Sequence, residues 1–283
     1  MTLRSIAKSI PAYATSDGAG VAIKRSIGAR QTLRADPFLM LDAFGSDNPD
    51  DYIAGFPPHP HRGFETVTYM LDGTMLHRDH MGNEGLLKPG GIQWMTAGKG
   101  VIHEERPKQT NGLMRGFQLW VNLPAAQKMK PAHYQNIEPE EVPLVTDEQG
   151  VSVRVVAGEA VVDGQIVQGP VSGVAAQPVY MDVRLPAGKS FTQQVPEAHT
   201  AVVYPFEGEV TINGETASEH SANILSPGDT IEITAPANQP AACLVFAGAP
   251  IGEPIAQYGP FVMNTQAEIE QAMRDYRDGV LTD

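Results

Sequence analysis

Apolar residues along this chain come in short runs, many of them β-branched, cut every few positions by glycine, proline or a polar turn. VTYML, GIQWMT, GFQLWVNL, VSVRVVAG, VYMDVRL, HTAVVYPF, EVTI, TIEIT and AACLVFAG read as strands. Turns fall between them at LDG, HMGN, PGG, FEG, ING and SPGD. Many short strands at such spacing predict an all-β sandwich or barrel. One helix is predicted, near the end. Thr265 and Glu268 make a capping box, and Ile269, Ala272, Met273 and Tyr276 form an apolar stripe at helical spacing. Glu270 and Arg274 pair on the opposite face, and Gly279 is the natural stop.

The pattern also repeats. Residues 87–98 read LKPGGIQWMTAG and residues 225–236 read LSPGDTIEITAP, with a turn glycine ahead of each copy at Gly73 and Gly208. A duplication with one barrel in each half is expected. The acidic, proline-bearing QNIEPEEVPLVTDEQG reads as the connection. The expected organisation is a first barrel over residues 1–135, a linker over 136–150, and a second barrel with the terminal helix over 151–283.

Composition narrows the function classes. Thirty-three acidic residues against twenty Lys and Arg give a net charge of −13. Such a surface repels phosphate, so neither nucleic acid nor an anionic membrane is an expected partner. A small molecule or another protein is the expected one. No run approaches the length of a membrane span, and the N-terminal segment lacks the apolar core of a secretory signal, which predicts a cytoplasmic protein. Cys243 is the single cysteine, so an internal disulfide and a thiolate-rich metal cluster are both excluded. It sits in an apolar strand and reads as a buried, inert thiol.

The candidate chemistry lies in GFPPHPHRGFETVTYMLDG and MTAGKGVIHEERP. His59 and His61 are one residue apart, so on a strand both imidazoles point to one face. If that strand continues unbroken, Glu65 shares the face. His103 and Glu105 repeat the spacing downstream. Two strands with one such pair each would offer three imidazoles and a carboxylate to one ion. Imidazole suits Fe, Cu, Ni and Zn, and a carboxylate keeps the set hard enough for Fe(II) or Mn(II).

Both segments follow the spacing of cupin barrels, with Gly98 where the second cupin motif usually has proline. The resemblance is closer still to one cupin family. HPHRGFETVTY, GNEG, PGGIQWMTAGKGVIHEE, RGFQLWVNLP and YGPFVMNTQAEIEQAMRDYRDG resemble pirin signatures from about residue 55 to the C-terminus. The resemblance implies two cupin (jelly-roll) barrels in tandem. It implies a metal, Fe(2+) first and Mn, Ni, Cu or Zn as alternatives, at His59, His61, His103 and Glu105. Pirins bind iron, and several members cleave quercetin as 2,3-dioxygenases, which implies a flavonol-like substrate, O2, and Glu105 or Glu65 as base. Some eukaryotic members are nuclear co-regulators, so a non-enzymatic redox sensor acting on a protein partner is the alternative implied. Glu65 is also expected as a hydrogen-bond partner of a ligand or its water.

Matching the two halves through Gly73/Gly208 and Pro89/Pro227 puts Gln194, Pro196, Ala241 and Cys243 at the ligand positions of the second barrel. No metal is expected there. His77, Asp79 and His80 precede a glycine turn and read as a solvated hairpin. His133, His199 and His220 read as surface or structural residues. Gln118, Trp120 and Asn122 share one strand face, and periodicity leaves open whether that face lines a pocket.

Overall fold

The computed structural model describes all 283 residues. It is built almost entirely of strands, with one short α-helix, and no helix is long and apolar enough to cross a membrane. The chain forms two compact units, each a seven-stranded sheet facing a four-stranded sheet.

The first barrel is residues 14–25, 38–139 and 251–283. Its larger sheet runs His133–Ile137, Ile92–Thr96, Phe64–Asp72, Met114–Asn122, Phe38–Ser46, Val21–Arg25, Tyr13–Asp17. Its smaller sheet runs Phe56–His61, Val101–Pro107, Met75–Asp79, Glu84–Leu87. Phe56–His61 carries three prolines, at 57, 58 and 60, which an edge strand tolerates because its outer side makes no ladder bonds. Val21, Ile23, Phe44, Met70, Met75 and Leu87 fill the inside at one end.

The second barrel is residues 1–13, 26–37 and 140–250. Its larger sheet runs Ile6–Pro11, Ser221–Leu225, Thr200–Glu207, Ala241–Gly248, Val179–Leu185, Ser152–Ala157, Leu144–Thr146. Its smaller one runs Ser190–Gln194, Thr230–Thr234, Val210–Ile212, Glu215–Ala217. The interior is closed by aliphatic side chains such as Val153, Met181, Val203, Ile231 and Val245.

Two expectations of organisation change. The division is not contiguous. Ile6–Pro11 adds a strand to the second barrel beside Ser221–Leu225, and residues 251–283, helix included, belong to the first. Backbone pairing decides both memberships, which no local composition signals. The helix itself, Gln266–Arg277, carries the expected capping box of Thr265 and Glu268. Only Ile269 and Ala272 of its stripe are buried, against Phe261, Met263 and Leu281.

The duplication is real in topology; the Gly73/Gly208 match holds to within one residue, whereas the Pro89/Pro227 match is one strand out of register. Strand by strand, Ile92–Thr96 corresponds to Ser221–Leu225, and Val101–Pro107 to Thr230–Thr234. Gly100 and Gly228, at φ +158 and +155, open the two corresponding strands. His103 then corresponds to Ile231 and Glu105 to Ile233, while cross-strand pairing matches His59 with Gln193 and, through the Val195–Asp229 backbone bond, His61 with Val195. Gln194 and Pro196 are exposed, one residue out of phase with the interior, and Ala241 and Cys243 lie on another strand. Cys243 is buried as expected, and burial raises its thiol pKa.

Candidate metal centre

The left-handed corner at Gly63 (φ +92) separates Phe56–His61 from Phe64–Asp72, so the chain crosses from the small sheet to the large one within two residues. A Cβ at Gly63 would lie 2.0 Å from the Val262 carbonyl oxygen, so only glycine fits. On the small sheet, His103 pairs across the strand with His59, which brings the two histidine-bearing segments side by side.

The imidazoles of His59, His61 and His103 converge, with potential ligand atoms all within 4.8 Å of one another. Ring centroids are 4.3 Å apart for His59 and His103, 4.7 Å for His59 and His61, and 4.9 Å for His61 and His103. His59 Nδ1 lies 2.8 Å from the Pro57 carbonyl oxygen, so it carries the proton and leaves the Nε2 lone pair available. Burial, then repulsion from neighbouring imidazoles, lowers the pKa of His61 and of His103 well below the ordinary histidine value. Both rings are therefore neutral at pH 7, the form that ligates metal. Neither nitrogen of His61 has a hydrogen-bond partner, nor does Nε2 of His103. Buried polar atoms left in this way are costly; a cation shared by three lone pairs would satisfy one nitrogen of each ring, and the Pro260 carbonyl is the neighbour of the other nitrogen of His61.

Glu105 lies two residues beyond His103 on the same strand, buried and firmly oriented. Thr68 Oγ1 donates to its Oε1 at 3.0 Å and Gln118 Nε2 to its Oε2 at 3.0 Å. Trp120 Nε1 donates to Gln118 Oε1 at 3.1 Å and so fixes which end of that amide faces the carboxylate. The face of Gln118 and Trp120 is therefore the one that looks into the barrel. The Trp120 and Phe64 rings meet at 4.3 Å, tilted by 34°, and both border the His61 ring, giving the site an apolar wall.

The structure brings the three histidines together; the Glu105 carboxylate is not among the atoms of that 4.8 Å cluster, and Glu65 does not join it either. Glu65 pairs with Thr96 and Val121, whereas Thr68, three residues on, pairs with Gln118, so Glu65 points to the opposite face of the large sheet. Its carboxylate is satisfied there by Thr96 Oγ1 (2.8 Å), Lys130 Nζ (3.0 Å) and Trp94 Nε1 (3.1 Å). The Gly63 corner breaks the parity that an unbroken strand would have kept. The Glu65 carboxylate therefore faces away from the histidines, with three donors of its own.

The hairpin read as solvated also differs. His77 and the side chain of Asp79 are fully buried, and His77 Nδ1 lies 3.4 Å from His103 Nδ1. The His77 ring stacks on Tyr134 at 4.7 Å. Strand parity from Glu105, its cross-strand neighbour, was the available signal. His80 accepts the Ile102 amide, His133 is exposed, and His199 is buried beside Arg4.

Two family models account for most of the chain: pirin over residues 20–121 and the pirin C-terminal cupin domain over 180–282. The chain belongs to the pirin family. Among its pirin relatives, a Pseudomonas aeruginosa protein provisionally named quercetin 2,3-dioxygenase is 55% identical over 271 residues, covering 95% of each chain. Human pirin is 38% identical over 282 residues, covering 97% of this chain and 93% of its own. The crystal structure of a quercetin 2,3-dioxygenase from Acinetobacter baumannii superposes with a TM-score of 0.89 at 36% identity, covering 99% of this chain and 98% of that one. The bicupin fold expected from the pirin resemblance is thus the observed one.

Proposed function

We propose that the first barrel binds one Fe(II) through His59, His61, His103 and Glu105, and that the protein cleaves a flavonol-like substrate with O2. The observation that carries this reading is the trio of converging imidazoles, two of them neutral with unpartnered buried nitrogens, beside a carboxylate on the same strand face. The names borne by the Pseudomonas and Acinetobacter relatives agree with it.

A bound divalent transition metal supplies Lewis-acid activation of the flavonol hydroxyl and redox access to O2. The protein supplies orientation and a base. Glu105 would accept the hydroxyl proton once its carboxylate is free of the metal, with Thr68 and Gln118 donating to its two oxygens to keep it in place. Trp120, backed by the fully buried Phe64, offers the flat ring system of a flavonol an apolar surface, and the two rings exclude water from the His61 side. Overall, one flavonol and one O2 give one ester product and one carbon monoxide.

The test combines metal analysis of protein purified without added metal with aerobic and anaerobic incubation with quercetin. One metal per chain, and O2 uptake matched to carbon monoxide release, are expected. Absence of O2 uptake under Fe, Mn, Ni and Cu loading would overturn the enzymatic reading.

A further inference from the structure

His77 is the one buried imidazole in this barrel that the ligand set does not use, and it touches a ligand. Its role depends on the metal centre proposed above. A neutral imidazole carries one N–H and one lone pair. The unpartnered nitrogen of His103 is Nε2, so if that atom ligates, the proton of His103 sits on Nδ1. Nδ1 faces Nδ1 of His77 at 3.4 Å, and two N–H groups cannot share that line. His77 must then be the acceptor, with its own proton on Nε2. That nitrogen lies 3.9 Å from Asp79 Oδ2, beyond a direct hydrogen bond but well placed for electrostatic attraction.

Both neighbours of His77 are themselves fixed. Asp79 Oδ1 accepts the backbone amides of Met81 (2.9 Å) and Asn83 (3.0 Å), and its Oδ2 accepts Asn83 Nδ2 at 2.8 Å. Tyr134 stacks on the His77 ring with only 19° between planes, which sets the direction of its Nδ1 lone pair. The hairpin turn thus reaches the ligand through a chain of three side chains, Asp79, His77 and His103.

We propose that His77 is a positioning residue: its Nδ1 accepts the Nδ1–H of His103, fixing His103 as an Nε2 donor to the metal. It neither ligates nor touches substrate. Outer partners of this kind strengthen the ligand's basicity and hold its ring in plane.

The test uses Zn(II), which is diamagnetic, and two variants. His77→Phe keeps the ring stacked on Tyr134 but removes the acceptor, and His77→Gln restores an acceptor. Chelator competition should show Zn(II) bound about 10- to 100-fold more weakly by His77→Phe than by wild type, with much of the loss recovered in His77→Gln. Histidine 15N NMR of the Zn(II)-loaded wild type, which depends on no variant folding, should show His103 protonated at Nδ1 and His77 bare at Nδ1 but unligated. Wild-type affinity in His77→Phe, the opposite tautomers, or a ligated His77 would overturn the inference while leaving the metal centre standing. Failure of the wild type to bind Zn(II), Fe(II) or Mn(II) would remove the metal-centre reading and this inference with it.

Discussion

Arg62, the residue after His61, donates to the carboxylate of Asp275 on the terminal helix at 2.6 Å. The same guanidinium donates through Nε to the Lys99 carbonyl, in the turn leading to His103, and through Nη2 to the Leu281 carbonyl at 3.0 Å. One buried cation therefore ties the ends of both histidine-bearing strands to the last residues of the chain. Gly100 completes the contact, since a Cβ there would lie 2.3 Å from the Leu281 oxygen. Replacing Arg62 with Ala leaves two carbonyls without the guanidinium and Asp275 with Gln271 as its remaining donor. A loss of about 1–3 kcal/mol is expected, the range for hydrogen bonds to a charged group lost from a partly buried site. Urea unfolding with an unchanged slope and a lower midpoint would register it; an unchanged midpoint would show that the clasp contributes nothing.

The Gln118 amide should matter to metal retention more than to folding. It supplies one of the two donors on Glu105 and is itself oriented by Trp120. Gln118→Leu keeps the volume but frees one carboxylate oxygen to rotate. Metal affinity should fall by about 10- to 100-fold, as for loss of other outer partners of a ligand. Titration against a chelator decides it, and undiminished affinity would argue that Glu105 needs no such support or is not a ligand.

Glu65→Gln gives a contrasting outcome. Its carboxylate is bonded to Thr96, Lys130 and Trp94 on the far face of the sheet, so the change disturbs packing and a buried charge pair but no group at the histidines. Stability should drop by about 1–3 kcal/mol, with the proposed turnover of the metal-loaded protein retained. A fall in turnover of about 10²–10⁴ in folded, fully metallated protein would restore Glu65 as the base.

Much of this architecture is legible in residue order, and the failures have specific causes. His59, His61 and His103 were readable because period-two spacing on a strand fixes the face whatever the partner strand is. Glu65 was not, because a single left-handed glycine at position 63 resets the parity, and i, i+2 reasoning cannot see a corner. The repeat slipped by one strand because Ser221–Leu225 does not look like a buried strand. Its polar residues are satisfied internally: Asn223 Nδ2 donates to the Val203 carbonyl at 3.2 Å, and Ser9 Oγ donates to Asn223 Oδ1 at 2.6 Å. The exchange of chain ends between barrels is a matter of long-range pairing, with Ile10 opposite Ala222, and no local pattern announces it.

Lys128 provides a test in pH. Its ammonium is almost wholly buried and donates to the Asn122 side-chain oxygen and the Gly63 carbonyl at 2.7 Å each, and to the Val262 carbonyl at 3.0 Å. It thereby pins the Gly63 corner to the returning C-terminal segment. Burial pulls its pKa down from 10.5 to about 8, with Glu253 and Glu268 opposing the shift. The folded state therefore releases this proton before the unfolded chain does. Between about pH 8 and 10.5 the unfolded state binds more protons, so the Lys128 contribution to stability rises with pH there and is lost again as pH falls through 8. The shift corresponds to about 3 kcal/mol across that window. Lys128→Met removes the titrating group, so the difference in unfolding free energy between wild type and variant should move in favour of wild type from pH 7.5 toward pH 10, by an amount of that order. Parallel urea midpoints for the two proteins across those pH values would mean that the ammonium keeps an ordinary affinity for its proton, and that its three acceptors compensate fully for its removal from water.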